Sequence, residues 1–181
     1  ALLKLLGDKA AMREARDLTE LLKPAALERI GRDLAKKLKS FVPVIYASSR
    51  NQAIAYNWKI KMNETGKIPA FTNVFPELNH NEMTGFDVKE STRELSKNFY
   101  FIFLKDPDDH PKILKRMNVT ERLYRERRLP ADVLILNGKT KFHKIFSSLV
   151  LADWTAYYTS LGYGMQPDEV ALIEEFKKLI K

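Results

Sequence analysis

The stretch that decides the fold is Val42–Phe75, VPVIYASSRNQAIAYNWKIKMNETGKIPAFTNVF. Two short apolar runs, Val42–Ala47 and Ala70–Phe75, flank residues 51–64, whose apolar positions recur at helical spacing. Short runs rich in β-branched and aromatic residues favour strands, and two strands joined by a helix favour a parallel pair. The stretch therefore predicts a strand–helix–strand unit.

The same alternation continues to the end of the chain. Further strands are predicted at Phe99–Leu104 and Val133–Asn137, and further helices at residues 108–127, 141–162 and 168–180. Continuous apolar strands that alternate with helices predict a parallel sheet with helices on both faces. We therefore predict an α/β fold of the flavodoxin-like kind, a three-layer αβα sandwich with a parallel sheet of about four to five strands.

The chain before the first strand reads as helix. Pro24 suits the first turn of a helix, and an apolar stripe at helical spacing follows it. The stripe consists of Leu27, Ile30, Leu34 and Leu38. We predict that residues 1–40 form a helical segment that packs on the following domain or on a partner chain, and that residues 41–181 form the domain that contains the sheet.

Length and composition limit the function classes. A chain of 181 residues suits one domain with a sizeable core, and the absence of cysteine excludes disulfides and thiolate metal sites. The histidines at 80, 110 and 143 are too scattered to indicate a metal site. No apolar run is long enough to span a membrane and no signal-peptide pattern opens the chain, so we expect a cytoplasmic protein with no membrane partner.

The formal net charge is +8. A solvated surface rich in Lys and Arg is the first interpretation of this charge, and attraction of an anionic small molecule is the second. No recognised nucleic-acid-binding motif accompanies the charge, so we expect no nucleic acid partner.

Residues 58–87 hold polar side chains that neither periodicity nor solubility explains. Glu64 ends a helical run, and the segment Glu77–Glu82, ELNHNE, puts His80 directly after the second predicted strand. Carboxylates and histidines are the side chains that most often transfer protons in enzymes. The alternatives are an exposed carboxylate at a helix end and a histidine that hydrogen-bonds its own loop, and spacing alone leaves both open.

A second candidate site follows the first strand. Ser48, Ser49 and Arg50 stand between that strand and the next helix. The carboxyl ends of parallel strands and the N-termini of helices are favoured ligand positions, because backbone N–H groups there can hold an anion. The alternative is that Ser48 or Ser49 only caps the helix. No glycine-rich phosphate fingerprint accompanies these residues.

Several of these segments resemble one family. The matching segments are Val42–Tyr46, Asn63-Glu64, Pro69-Ala70, Asn73–Glu82 and Leu151–Tyr158 with Pro167. Together they are similar to the C-terminal SIS (sugar isomerase) domain of the bifunctional phosphoglucose/phosphomannose isomerases. The resemblance covers roughly residues 40–181, and the segment ELNHNE is its most specific part.

The resemblance implies an aldose–ketose isomerase that converts glucose 6-phosphate or mannose 6-phosphate to fructose 6-phosphate through a cis-enediol, with no metal or redox cofactor. It places the catalytic base at Glu64 and the acid/base that opens the sugar ring at His80. It also implies a substrate contact at Thr155 or the adjacent alanine, and we expect another at Asn79, beside the histidine. Where the family has a later lysine, this sequence reads Gly162-Tyr163-Gly164.

The resemblance also implies missing parts. Family members have two SIS domains, and the first supplies a Ser/Thr phosphate loop and an arginine that steadies the enediolate. Neither motif is found here. Because the chain also begins at Ala1 rather than Met, we expect it to be the C-terminal half of a longer enzyme, inactive alone. The alternatives are a stand-alone SIS-like domain that binds sugar phosphates or regulates without catalysis, and a dimerisation module without chemistry.

Spacing predicts that two chains share the active site. Glu64 precedes the strand and His80 follows it, and a strand of this length separates its ends by about 20 Å. Groups that act on one sugar must lie close together, which two chains related by a two-fold axis achieve. The family is similar in taking its histidine from the neighbouring subunit. We therefore expect a homodimer with a sugar phosphate as substrate.

Overall fold

The structure is a computed structural model that describes Lys4 and residues 7–180. The predicted helical residues Leu2, Leu3, Leu5 and Leu6 lie outside the described residues. The helices are α1 (Lys9–Leu21), α2 (Pro24–Lys37), α3 (Gln52–Glu64), α4 (Glu82–Gly85), α5 (Arg93–Ser96), α6 (Pro111–Glu126), α7 (Lys141–Gly162) and α8 (Ala171–Leu179). The strands are β1 (Val42–Ser48), β2 (Phe71–Phe75), β3 (Phe99–Lys105) and β4 (Ala131–Ile135).

Within the described residues, the strands form one four-stranded sheet in the order β2-β1-β3-β4, and every neighbouring pair is parallel. Side chains of β1 alternate between the two faces, as the pleat of a strand requires. Ile45 and Ala47 join the core on one face, and Val44 and Tyr46 join the core on the other. The predicted αβα sandwich with a parallel sheet is confirmed.

Helices α2, α3 and α7 cover the first face of the sheet. Helices α2 and α7 approach so closely that a Cβ atom on Gly31 would lie 2.7 Å from the Cβ atom of Trp154. The Trp58 indole N–H is buried and donates to Ser148 Oγ at 3.0 Å. The buried side chains include Leu34, Leu38, Ile45, Ala47, Ile54, Ala55, Trp58, Met62, Ile102, Leu104, Leu151, Ala152 and Ala156.

Helix α6 and the segment between β2 and β3 cover the second face. Tyr46 lies at the centre of an aromatic cluster, with Phe75, Phe101, Phe103 and Tyr124 at ring-centroid distances of 5.4–6.3 Å. Such clusters add to the stabilisation that apolar burial provides. This layer holds the segment that contains His80 against the sheet.

The structure differs from several of the predicted boundaries. Strand β4 begins two residues before the predicted Val133, because Asp132 is accommodated by hydrogen bonds from Lys37 Nζ and the Tyr100 hydroxyl. Helix α6 begins at Pro111 rather than residue 108, since His110 Nδ1 caps its first turn. Between β2 and β3, where no helix is predicted, the chain forms the one-turn helices α4 and α5.

The N-terminal helices pack on α7. Leu34 and Leu38 from the end of α2 enter the core, and Leu18 of α1 is buried. The Glu14 carboxylate of α1 accepts from the backbone N–H of Phe142 at 3.2 Å, at the start of α7. The predicted division of the chain at residue 40 stays a prediction. Among the described helices, none is both long and apolar enough for a transmembrane span.

Candidate functional site

The loop after β2 is held in place on both sides of His80. Leu78 is fully buried in the second core. The Asn79 amide donates to Thr120 Oγ1 on α6 at 2.9 Å, and the Asn81 amide donates to Glu77 Oε1 at 3.1 Å. Because the loop is tied to a helix and to itself, its backbone is fixed relative to the sheet.

Glu82 fixes the same loop to the sheet. The buried Tyr46 hydroxyl donates to the Glu82 carboxylate, and Asn73 Nδ2 of β2 donates to its other oxygen at 2.5 Å. The Tyr124 hydroxyl lies 3.4 Å from that of Tyr46. Burial, with the nearby Tyr124 and Glu82, raises the pKa of Tyr46 far above its ordinary value, and burial raises the pKa of Tyr124 to about 12. Tyr46 therefore remains a hydrogen-bond donor to Glu82.

His80 itself is exposed. Its imidazole makes no hydrogen bond and no ion pair with any residue that the structure describes. The side chains around it are hydrogen-bonded within the protein, and the imidazole is not. An uncommitted imidazole on a fixed loop has the properties that general acid/base chemistry requires.

Glu64 is the last residue of α3 and is exposed. Among the described residues, no hydrogen bond or ion pair engages its carboxylate. It borders a cavity of about 780 Å³ whose lining comes from residues 63–69 and 164–173. The ammonium of Lys67 in this wall donates to the backbone carbonyl of Glu64 at 2.5 Å and to that of Glu169.

The structure does not bring Glu64 and His80 together within one chain. Glu64 precedes β2 and His80 follows it, at opposite ends of the strand. Asn79 lies beside His80, and Ser49 bonds the carbonyl of Phe75, at the end of β2 where the His80 loop begins. The predicted sharing of a site between two chains stays a prediction.

A polar cluster lies beyond the carboxyl ends of β1 and β3, beside a cavity of about 600 Å³ whose lining includes Asn51, Asp106 and Lys144. This crevice cluster consists of Ser48, Asn51, Asp106, Asp109 and Lys144. Ser48 Oγ donates to Asp109 Oδ1 at 2.8 Å, and Asn51 Nδ2 reaches Asp106 Oδ2 at 3.3 Å. Lys144 Nζ binds the Asp106 carboxylate at 2.7 Å. The position between these two strands is the one that open α/β sheets most often use for ligands.

The two buried carboxyls of the crevice cluster differ in pKa. Burial would raise the pKa of Asp106, but the bonds from Lys144, the Asp108 backbone N–H and Asn51 outweigh burial and lower that pKa. Burial and the neighbouring Asp106 charge raise the pKa of Asp109, against the bond from Ser48. Burial would lower the pKa of Lys144, but its two carboxylate partners raise it.

The other predicted substrate contacts are engaged with the protein. Ser49 Oγ donates to the Phe75 carbonyl at 2.9 Å, and an Arg50 nitrogen donates to the Asp108 carbonyl at 2.7 Å. Thr155 is fully buried, and its hydroxyl donates to the Leu151 carbonyl of its own helix at 2.8 Å. The substrate roles of Ser48, Ser49, Arg50, Asn79 and Thr155 stay predictions.

Sequence reasoning missed Asp106, Asp109 and Lys144 in the crevice, and Lys67 beside Glu64. The run Asp106-Pro107-Asp108-Asp109 directly after the predicted third strand was a readable signal, because strand carboxyl ends gather at one sheet edge. Lys67 gave no such signal, since a lysine after Gly66 suits any solvent-exposed turn.

A comparison with protein families identifies the family to which the chain belongs. The model described as bacterial phospho-glucose isomerase C-terminal SIS domain matches residues 28–180, which is most of the chain. The chain belongs to this family of SIS domains. The resemblance read from the sequence motifs is therefore confirmed.

Relatives of this SIS domain bear the same family name. The bifunctional phosphoglucose/phosphomannose isomerase of Aquifex aeolicus is 30% identical over 99% of this chain and 55% of its own length. That of Thermoplasma volcanium is 35% identical over 77% of this chain and 43% of its own length. The chain thus spans about half the length of the curated relatives it matches.

Solved structures similar to this SIS domain support the fold. A glucose-6-phosphate isomerase-like protein from Thermus thermophilus matches with a TM-score of 0.61 and 18% identity, over 79% of this chain and 46% of its own. The C-terminal domain of a glucosamine-fructose-6-phosphate aminotransferase from Francisella tularensis matches with a TM-score of 0.65 and 15% identity, over 88% and 47%. At these identities the similarity shows the fold alone.

Proposed function

We propose that the chain is the C-terminal SIS domain of an aldose–ketose isomerase that interconverts glucose 6-phosphate or mannose 6-phosphate and fructose 6-phosphate. The names of its relatives support the substrate class. The observation that carries the chemistry is that two proton-transfer groups are uncommitted. The Glu64 carboxylate and the His80 imidazole lack partners among the described residues, while the side chains around His80 are bonded to the fold.

In the proposed reaction, His80 moves a proton during opening of the sugar ring. Glu64 then removes the proton from C2 of the open-chain aldose and returns it to C1, through a cis-enediol. The adjacent carbonyl makes that C–H bond acidic, so a positioned carboxylate suffices as base. A positioned acid or base contributes on the order of 10²–10⁴-fold to the rate.

We further propose that the enzyme is a homodimer in which Glu64 of one chain and His80 of the other act on one sugar. The two residues flank opposite ends of β2, so their side chains do not meet within one chain. A two-fold axis lets each chain give its base to one site and its histidine to the other. The proposal includes a first SIS domain in the complete protein, in keeping with the length of the relatives.

Subunit exchange in the complete protein tests this proposal. Glu64→Gln and His80→Ala are each expected to lose at least about 10²-fold in kcat, because each removes a general acid/base group. Mixing the two inactive variants is expected to restore one of the two sites in every heterodimer, since one site then has both native groups. Activity is followed as conversion of fructose 6-phosphate before and after exchange.

Glu90→Gln is the matched control, because Glu90 is an exposed carboxylate on a short turn that has no part in the proposed site. It is expected to keep wild-type activity. Full activity of Glu64→Gln would refute the assigned base and favour a binding or regulatory domain. Heterodimers that form without regaining activity would show that each site belongs to one chain.

A further inference from the structure

The N-terminal half of α6 carries positive charges next to the loop that holds His80. A cavity of about 470 Å³ lies there, and its lining includes Asn79, Lys112, Lys115 and Arg116. An Arg116 guanidinium nitrogen lies 3.4 Å from the Asn79 amide oxygen, one residue from His80. Lys112, Lys115 and Arg116 are all exposed, and we call them the basic cluster.

The basic cluster differs from the cations at the other end of the same helix. Three arginines there each form an ion pair with a carboxylate, and the pairs are Arg122–Glu126, Arg125–Glu121 and Arg127–Asp87. Within the described residues, no carboxylate forms an ion pair with the basic cluster. The first turn of α6 contains no acidic residue, and cations near a helix N-terminus are unfavourable because the helix dipole is positive there. An anionic partner outside the chain would compensate for this arrangement.

An acidic segment flanks the other proposed catalytic group. Residues 164–175 contain four carboxylates and no lysine or arginine. The Lys67 ammonium binds the backbone carbonyls of both Glu64 and Glu169, so these two backbones lie side by side. Asp168 and Glu169 are exposed, and their carboxylates form no ion pair among the described residues. We call these two residues the acidic pair.

We propose that the basic cluster of one chain binds the acidic pair of a second copy of this chain, and that this contact closes the shared site. This inference rests on the proposed function, in which one sugar contacts Glu64 of one chain and His80 of its partner. The acidic pair adjoins Glu64 and the basic cluster adjoins His80. The sugar that brings the two catalytic groups together therefore also brings the opposite charges together. The contact is made twice, because a two-fold axis exchanges the two chains.

Reversal of these charges gives a larger signal than their neutralisation. A single exposed ion pair contributes little to stability. Like charges that face each other across an interface are strongly unfavourable, and complementary charges guide the choice of partner. Because exposed charges are screened by salt, the affinity of the wild-type dimer is also expected to fall as the ionic strength rises.

Charge reversal in the complete protein tests the inference. The first variant carries Lys112→Glu and Lys115→Glu, and the second carries Asp168→Lys and Glu169→Lys. Each is expected to raise the dimer Kd at least about 100-fold in sedimentation velocity, because like charges then face each other at both symmetric contacts. The far-UV circular dichroism of the first variant should match the wild type, since acidic residues suit the start of a helix.

Mixing the two variants tests whether the two surfaces face each other. In a heterodimer the reversed cluster faces the reversed pair, and the native cluster faces the native pair. Both contacts are then attractive, so the mixture is expected to form heterodimers with a Kd close to that of the wild type. It should also regain isomerase activity at a protein concentration where each variant alone is monomeric and inactive.

Arg29→Glu with Lys39→Glu is the matched control. It makes the same change in net charge with two exposed cations that form no ion pair among the described residues. Arg29 lies on α2 and Lys39 follows that helix, which covers the sheet face opposite α6. The control is expected to keep the wild-type dimer Kd and activity.

Three results would overturn the inference. One is an unchanged dimer Kd in both reversed variants while mixed Glu64→Gln and His80→Ala chains regain activity, which would leave the proposed function standing. Another is two weakened variants whose mixture forms no heterodimer, which would show that the two surfaces do not meet. The third is an unchanged Kd with a raised, salt-dependent KM in the first variant, which would show that the basic cluster attracts the anionic substrate instead.

The proposed function can fail separately. Heterodimer formation by the two reversed variants, together with full activity of Glu64→Gln, would support the contact between the basic cluster and the acidic pair. The same pair of results would refute Glu64 as the base.

Discussion

The crevice cluster and the loop after β2 are both rich in polar side chains, but the two regions differ in what those side chains contact. In the crevice, Ser48 binds Asp109 and Lys144 binds Asp106, so each group is satisfied within the cluster. In the loop, the neighbours of His80 are satisfied and His80 is not.

The difference teaches that position in the fold does not by itself mark a functional site. The crevice occupies the usual ligand position of an open parallel sheet. There, a substrate contact at Ser48 would have to displace the Asp109 carboxylate, which also repels a phosphate. The loop after β2 offers instead a fixed support with one uncommitted side chain, which is the arrangement a catalytic group needs.

Loss of the crevice cation should give the largest change in stability. Lys144→Met is expected to lower the free energy of unfolding by about 2 kcal/mol, since it leaves the buried Asp106 carboxylate without its cation, and solvent near Asp108 softens the loss. Urea unfolding at pH 7 measures the change. Lys141→Met, an exposed residue on the same helix, should change stability by less than about 0.5 kcal/mol. Equal effects of both would mean that the ion pair between Lys144 and Asp106 does not stabilise the fold.

Tyr46→Phe should have a smaller effect, located in the other region. The Glu82 carboxylate loses a buried donor, so the unfolding free energy is expected to fall by about 1.5 kcal/mol. Backbone hydrogen exchange should accelerate at residues 77–82 and stay unchanged in the crevice, because the Tyr46 hydroxyl bonds Glu82 and Tyr124 and no residue of the crevice cluster. Tyr157→Phe is the control, as Tyr157 is exposed and its hydroxyl has no partner among the described residues. Unchanged exchange in the loop would contradict the role given to Glu82.

The smallest effect should be a difference between Asp109 and Asp106 in how their contributions to stability depend on pH. The pKa of Asp109 is raised by burial, so its contribution to stability is greatest at low pH and is lost as the pH rises through the folded value. The pKa of Asp106 is lowered despite burial, so its contribution is present above the ordinary value and is lost as the pH falls through the folded value.

Substitution of each aspartate by asparagine tests the predicted direction of its contribution to stability. At pH 7, Asp109→Asn is expected to leave the unfolding free energy equal or slightly higher, because it removes a charge that burial disfavours. Asp106→Asn is expected to lower it, because Lys144 loses its charged partner. Both differences from the wild type should shrink between pH 7 and pH 3 in urea unfolding. A loss at pH 7 that is the same for the two variants would show that the carboxyls are equivalent.

The sequence by itself determined the fold class and the two candidate groups. Alternation of apolar strands with helices is a local pattern, and chain geometry converts it into a parallel sheet with helices on both faces. Glu64 and His80 could be identified from the sequence because each lies in a motif of a few consecutive residues. That local signal also predicts their separation, since the strand between them has a fixed rise per residue.

Only the tertiary structure decided which polar groups are committed. Ser48 and Asp109 are 61 residues apart in sequence, Tyr46 and Glu82 are 36 apart, and Lys67 and Glu169 are 102 apart. No periodicity links such pairs, because their contact depends on how separate elements pack and how far each side chain reaches. Each polar group finds its hydrogen-bond partner only in the folded chain, and so the crevice cluster is satisfied internally while the His80 imidazole has no partner among the described residues.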